Sequence, residues 1–462
     1  MTKVKNVLSD FIQRPIKVQI ISREIPVENT RGNATYILNF LQYLQQMGYK
    51  IEYILPNSLL SSRTPWHIIS PTLAKLANVV VKDNLKIGRL LLRFNSLSDW
   101  LIESLRLIYD RLPETLKNIY RSARDQRQLT PMYAVPSCVW DAPLLLEETA
   151  FINSQFLRFK PDIVIANYAF LANVLDSPVL DKNVLKVILT HDVRHQRVAQ
   201  FKKLGLASSE PYWSKEQEII ELSKAQVLLA IQEEDANVFK EMVPQCEVIC
   251  MPMSVNCHSH TIKQIPGRCL FVGSGINHNY YGLQWFLENV WAKVIELSPH
   301  SSLHVCGTVC DLIEGSFPNV RLLGRVDDLK PEYSAAEVCL VPLLAGSGLK
   351  IKLVEAMSYG RACVSTSVGV QGLREVAGKT ILVADTVEDF ALGVHTLLTN
   401  PDKRQWMEKQ AYKYVSEKFS PKAAYQPFVD YIYQHLQQVS NQPKIVPFEE
   451  TVSLDKVISS KK

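Results

Sequence analysis

A two-beat rhythm along the chain constrains its fold more than any other feature. A short apolar run rich in Val and Ile is followed by a longer segment of helical periodicity, and the pair recurs. In the first half the runs are 17–21, 51–55, 163–166, 185–189, 227–231 and 248–250. In the second half they are 269–272, 303–306, 320–323, 338–341, 362–364 and 381–383. Runs apolar on both faces that alternate with helices read as parallel strands covered by helices on each side. The helical segments include residues 34–47, with Ile37, Leu38, Leu41 and Leu44 on one face, and residues 281–297. The expected fold class is therefore α/β, with two Rossmann-like, doubly wound domains facing a central cleft.

A length of 462 residues suits two or three domains. Periodicity stops over residues 253–268, where Pro266-Gly267 punctuates the chain. The expected division is a first domain over 1–255 and a second over 265–420, with a loose tail over 441–462. A stretch at about 58–156 interrupts the first domain. Leu90, Leu91, Phe94, Leu97, Leu101, Leu105 and Ile108 recur there at intervals that suggest a helical insertion. It is also basic, with 12 Lys and Arg against 6 Asp and Glu between residues 63 and 127. Two readings fit: a helical cap with a solvated basic face, or a surface for acidic lipid headgroups or a lipid-linked acceptor.

Composition removes several alternatives. Residues are 47% hydrophobic and 21% charged, far from the signature of disorder. An apolar stretch such as residues 338–345 is too short for a bilayer span of roughly 20 residues. The first 14 residues carry no apolar run of signal-peptide length, so a cytoplasmic protein is expected. A net charge of +5 spread over this length argues against a nucleic-acid partner. Several of the nine cysteines, among them Cys269, Cys306, Cys339 and Cys363, sit inside the apolar runs and read as small buried residues. Cys257-His258-Ser259-His260 uses metal-ligand residues, but no second pair at finger spacing follows, so no metal site is expected.

Ligands of open parallel sheets bind at the carboxyl ends of the strands, so the loops there carry the chemistry. Gly346-Ser347-Gly348-Leu349-Lys350 precedes a helix, where glycines let backbone amides approach an anion and Lys350 adds a cation. Glu355 is the lone acid among Leu353, Val354, Ala356 and Met357, and wants a hydroxyl or a cation as partner. An ordinary turn with a Glu355–Lys352 pair is the plain alternative. The loop from Gly273 and Ser274 to Asn279 also suits an anion or a sugar, although it lacks the full dinucleotide spacing. His191, in Thr190-His191-Asp192, stands where a strand end can present an imidazole to the cleft.

These segments resemble the retaining GT-B glycosyltransferases of family 4, which carry the glycosyl transferase group 1 domain. Phe271 to Gly275, Gly346 to Gly360 and Arg361 to Gly372 carry the resemblance, which covers about 269–420. The first domain is similar more loosely, through residues 17–21, Gly32-Asn33, Pro161 to Val164, His191-Asp192 and 222–232. Residues 421–440 look like the terminal helix that returns to the first domain in such enzymes.

The resemblance implies a nucleotide-sugar donor held mainly by the second domain and a glycan or lipid-linked acceptor held mainly by the first. It implies that Glu355 accepts hydrogen bonds from the ribose hydroxyls. Gly348, Leu349 and Lys350 would meet the diphosphate and the sugar, His191 would contact the sugar ring, and Gly32 and Asn33 would lie near the diphosphate. No metal and no further cofactor is implied. Transfer would go to an acceptor hydroxyl with retention, in glycan or polysaccharide biosynthesis; a binding protein that kept the fold without catalysis is the alternative. Two departures bear on this. Ser347 stands where the family often has a first Glu, and Ser274, His278 and Asn279 stand where many members have an Arg and a Lys.

Overall fold

The computed structural model describes residues 14–28, 32–56, 65–93, 100–101, 104–105, 108, 144–205, 213–258, 263–346 and 348–441. The strands run in order as β1 (Lys17–Ile21), β2 (Lys50–Leu55), β3 (Trp66–Ile68), β4 (Asn78–Val81), β5 (Asn84–Ile87), β6 (Leu90–Arg93), β7 (Ile163–Asn167), β8 (Leu185–Leu189), β9 (Val227–Ala230) and β10 (Glu247–Cys250). The second domain adds β11 (Arg268–Val272), β12 (Ser302–Cys306), β13 (Val320–Gly324), β14 (Val338–Val341), β15 (Ala362–Ser365) and β16 (Ile381–Val383).

The expected architecture is present. The first domain holds a seven-stranded sheet in the order β10-β9-β8-β7-β1-β2-β4, and the second a six-stranded sheet in the order β13-β12-β11-β14-β15-β16. All pairs in both sheets are parallel. Burial on both faces explains the unbroken apolar runs: β7, β9, β14 and β15 are buried at every residue. The helix Gly32–Gln46 buries Tyr36, Ile37, Phe40, Leu41 and Leu44. It also receives the last helix, Pro421–Asn441. Phe40 packs on Tyr425 and Phe428, and Tyr43 donates to Gln426 Oε1 at 2.6 Å. Ser254 N donates to the Tyr425 hydroxyl at 3.1 Å, which ties the crossover between domains to the same helix.

The insertion differs from its expected form where it is described. Leu90 and Leu91 belong to β6, not to a helix. β3, β6 and β5 form a small antiparallel sheet, while β4 joins the edge of the main sheet beside β2. Three consecutive leucines fit either period, and the turn at Gly88-Arg89, with Gly88 at φ 60°, decides for the β5–β6 hairpin. Residues 100, 101, 104, 105 and 108 are helical, but Leu101, Leu105 and Ile108 face solvent instead of forming a core stripe. Most of the basic stretch beyond residue 93, and the tail from 442, lie outside the described residues. Among those described, no helix is long and apolar enough to cross a membrane.

Candidate functional site

The site is built where the carboxyl end of the first sheet meets the loop after β14. His191 follows β8 and takes a left-handed conformation, φ 65°, that a non-glycine residue adopts only when its surroundings hold it there. Those surroundings are plain. The imidazole stacks on Tyr168 at 3.9 Å between centroids, meets Tyr36 edge-on at 5.4 Å, and its Nε2 lies 2.7 Å from Asn167 Oδ1. Burial pushes it down to about 3, with Asp192 opposing and Arg194 and Arg197 reinforcing. The ring is therefore neutral at physiological pH, donating from Nε2 and leaving Nδ1 as the acceptor nitrogen.

Two glycines record how closely the domains approach. A Cβ on Gly348 would lie 2.8 Å from the His191 carbonyl oxygen and 3.3 Å from Asp192 Cβ. A Cβ on Gly32 would lie 2.6 Å from Ile351 Cδ1. The first-domain turn and His191 thus sit directly on the start of the second-domain helix Ile351–Ser358. Gln200 and Glu234 add first-domain contacts. Gly346 N donates to Gln200 Oε1 at 3.1 Å, and Glu234 accepts from Gly372 N at 3.4 Å while pairing with Arg374 at 3.2 Å. Asn33 does not reach across; its amide donates to Glu24 and to the Tyr168 hydroxyl, and so braces the ring that holds His191.

Lys350 is buried just before that helix. Its Nζ donates to Gly348 O at 2.7 Å and to Gln371 Oε1 at 3.5 Å, folding the glycine turn around the ammonium. Burial lowers it to about 8, against the pull of Asp235, Asp192 and Glu234. Lys352 donates to Asn279 Oδ1 and lies over the Phe271 ring, 4.7 Å from its centroid; burial and the neighbouring Lys350 lower it to about 7. Leu349 is buried beside the turn.

Glu355 lies one and a half turns further along. The Tyr333 hydroxyl donates to its Oε2 at 3.3 Å, and burial raises its carboxyl to about 7 although Tyr333 and Lys352 oppose this. Lys352 is therefore a charge neighbour but bonds Asn279, which leaves Glu355 with acceptor capacity for a hydroxyl donor. Behind it Tyr333, Tyr359 and His258 stack in sequence, at 4.8 and 4.2 Å, so His258 is a packing residue. Among the described residues no three His, Cys, Asp or Glu side chains gather as a metal would need.

Gly273 and Ser274 form a turn beneath the same cleft. A Cβ on Gly273 would meet Phe271 Cε1 at 2.7 Å, and Gly307 packs so closely that its Cβ would fall 2.1 Å from Gly273 O. Asn279 Nδ2 donates to both Ser274 O and Ser274 Oγ, closing the loop on itself. Ser347 lies outside the described residues. The first-domain acids Glu234 and Asp235 and the residues Arg197 and Gln200 went unmarked in the sequence, while Asp192 was noted there without a role. Glu233, Glu234 and Asp235 open a helix at the carboxyl end of β9, which is the signal that could have found them.

Two parallel-sheet Rossmann-like domains closed on a cleft at their strand ends define the GT-B architecture. Residues 266–400 match the family described as Glycosyl transferases group 1. A curated relative, an uncharacterized 44.6 kDa protein in the cps region of Klebsiella pneumoniae, is 24% identical over 168 residues, or 34% of this chain. That match spans 43% of the relative's length. Among solved structures, sucrose-phosphate synthase from Thermosynechococcus elongatus superposes with a TM-score of 0.61 at 14% identity, over 92% of this chain and all of that one. The pneumococcal O-GlcNAc transferase GtfA, in complex with UDP and GlcNAc, gives 0.59 at 10% identity, over 92% and 99%. These similarities establish the fold.

Carried onto that fold, the ribose assignment makes a first prediction. Glu355→Gln should keep the fold and weaken nucleoside-diphosphate binding about tenfold to a hundredfold, because hydrogen bonds to a charged acceptor are the stronger ones. Titration calorimetry against folded mutant and wild type checks it; equal affinities would remove Glu355 from the ribose.

Proposed function

We propose that the protein is a retaining glycosyltransferase that moves a sugar from a nucleoside diphosphate to the hydroxyl of a glycan or lipid-linked acceptor, in polysaccharide biosynthesis. The observation that carries this reading is the apposition of His191 with the Gly348-Leu349-Lys350 turn. It presses the loop that carries a neutral imidazole, suited to sugar hydroxyls, against the turn that carries a buried ammonium suited to phosphate. The group 1 match over 266–400 and the cps-region relative support the reading. So does GtfA, in complex with UDP and GlcNAc, whose fold this chain shares at a TM-score of 0.59.

In this reaction the bond between the sugar and the diphosphate oxygen breaks with its electron pair going to that oxygen. The acceptor oxygen attacks from the face the diphosphate leaves, and its proton goes to a departing phosphate oxygen. Attack on the leaving-group face gives retention without a protein nucleophile. Lys350 and the backbone amides at the start of the helix Ile351–Ser358 meet the charge that grows on the diphosphate.

The test is a thermal-shift panel of UDP, GDP and ADP with the matching sugar nucleotides, followed by transfer assays with the sugar nucleotide of the base that stabilises the protein. Transfer should persist in excess chelator. Complete loss that Mg²⁺ restores would refute the metal-free mechanism. Binding without hydrolysis or transfer would favour the non-catalytic reading.

A further inference from the structure

We propose that Arg197, on the first domain, binds the donor diphosphate from across the cleft and supplies the cation that the loop after β11 lacks. The inference rests on the glycosyltransferase reading and adds to it a specific phosphate contact. Three observations place the side chain. Gln200, one turn further along the helix Arg194–Lys203, accepts a hydrogen bond from Gly346 N at 3.1 Å, so this face of the helix lies on the phosphate loop. Arg197 Nη1 is paired with Asp192 Oδ2. Asp192 in turn touches the same loop, since a Cβ on Gly348 would lie 3.3 Å from Asp192 Cβ. The guanidinium is therefore held at the seam by a carboxylate next to the turn that carries Lys350, with 21% of its side chain accessible to solvent.

The opposite wall needs such a cation. The loop over residues 273–279 contains no Arg or Lys. Its His278 is pushed well below the ordinary histidine range by burial and by Lys352, Lys350 and Arg197, which keeps it neutral. Lys350 and Lys352 are point charges engaged with Gly348 O and Asn279, whereas a guanidinium fork matches phosphate oxygens and lets Arg197 exchange its Asp192 partner for them.

One consequence concerns closure. Because Arg197 belongs to the first domain, the diphosphate site is complete only when the domains are apposed. A nucleoside can bind the second domain alone; the diphosphate increment depends on both. Asp192 stands in for the diphosphate when none is bound.

The experiment compares wild type, Arg197→Ala, Arg197→Lys and Asp192→Asn in calorimetric titrations with UDP, GDP and ADP and with the corresponding nucleosides. Arg197→Ala should lower affinity for the preferred diphosphate about tenfold to a hundredfold and leave nucleoside affinity unchanged. Arg197→Lys should recover part of the loss. Asp192→Asn should hold or raise diphosphate affinity, because it frees the guanidinium for phosphate. If Arg197 served only to pair with Asp192, both removals would weaken binding alike, and that result overturns the assignment, as does unchanged diphosphate affinity in a folded Arg197→Ala or Arg197→Lys protein. Wild type that binds none of the three diphosphates overturns the glycosyltransferase reading and this assignment together.

Discussion

Lys350→Ala should lower transfer on the order of a hundredfold to a thousandfold, the scale of removing one pre-aimed group from developing charge. The geometry gives the reason. Nζ is fixed by Gly348 O and Gln371, so the cation is already oriented before the diphosphate arrives. Its charge also sets a pH dependence whose sign follows from burial. Lys350 is lowered to about 8 from an ordinary value near 10.5, so the free enzyme loses this cation as pH rises through about 8. A bound diphosphate favours the ammonium and moves the loss to higher pH. kcat/KM, which reports the free enzyme, should therefore fall above about pH 8, while kcat falls later. In Lys350→Ala the alkaline limb near 8 should disappear from kcat/KM. A mutant with wild-type turnover, or one that keeps that limb, would detach Lys350 from the reaction.

Much of this fold could be read from residue order, for a physical reason. Strands buried on both faces are mostly apolar, and 17–21 and 185–189 emerge with their observed limits. β4 escaped because Asn78–Val81 is short and lies in a segment whose leucines imitate a helical period. Periodicity reports the spacing of apolar residues but not the partner that covers them, and here the partner was the edge of β2. The site divides in the same way. Glycines ahead of a helix, a lone acid on a buried helix and a histidine after a strand are local signals, and Gly348, Lys350, Glu355 and His191 carried them. Asn33, which only the resemblance singled out, donates to Glu24 and to the Tyr168 hydroxyl. Gln200 and Glu234 contact the opposite domain, and no local pattern encodes which loop will be pressed against them. The acidic start of the helix Glu233–Met242 reads equally well as ordinary favourable charge at a helix amino terminus.

Gly348→Ala should leave both domains folded and remove most transfer, on the order of a hundredfold, the cost of displacing reacting groups by about 1 Å. At φ 73° an alanine is strained, and its Cβ would stand 2.8 Å from the His191 carbonyl oxygen, a separation that real Cβ atoms do not adopt. Neither side can yield cheaply. His191 is itself left-handed and locked by the Tyr168 stack and the Asn167 hydrogen bond, and the glycine turn is folded around Lys350. The strain is relieved by parting the domains, which separates His191 and Arg197 from Lys350. Gly378→Ala is the matched control, with nearly the same backbone angle, φ 75°, and no atom within 4 Å of the new Cβ. Both substitutions should lower the melting temperature by a similar small amount, because left-handed alanine costs about 1–2 kcal/mol. Only Gly348→Ala should lose turnover, and it should keep nucleoside binding, which on the proposed reading needs the second domain alone. Equal activity in the two mutants, measured with equal folded fractions, would mean that the closeness of Gly348 to His191 has no part in the reaction.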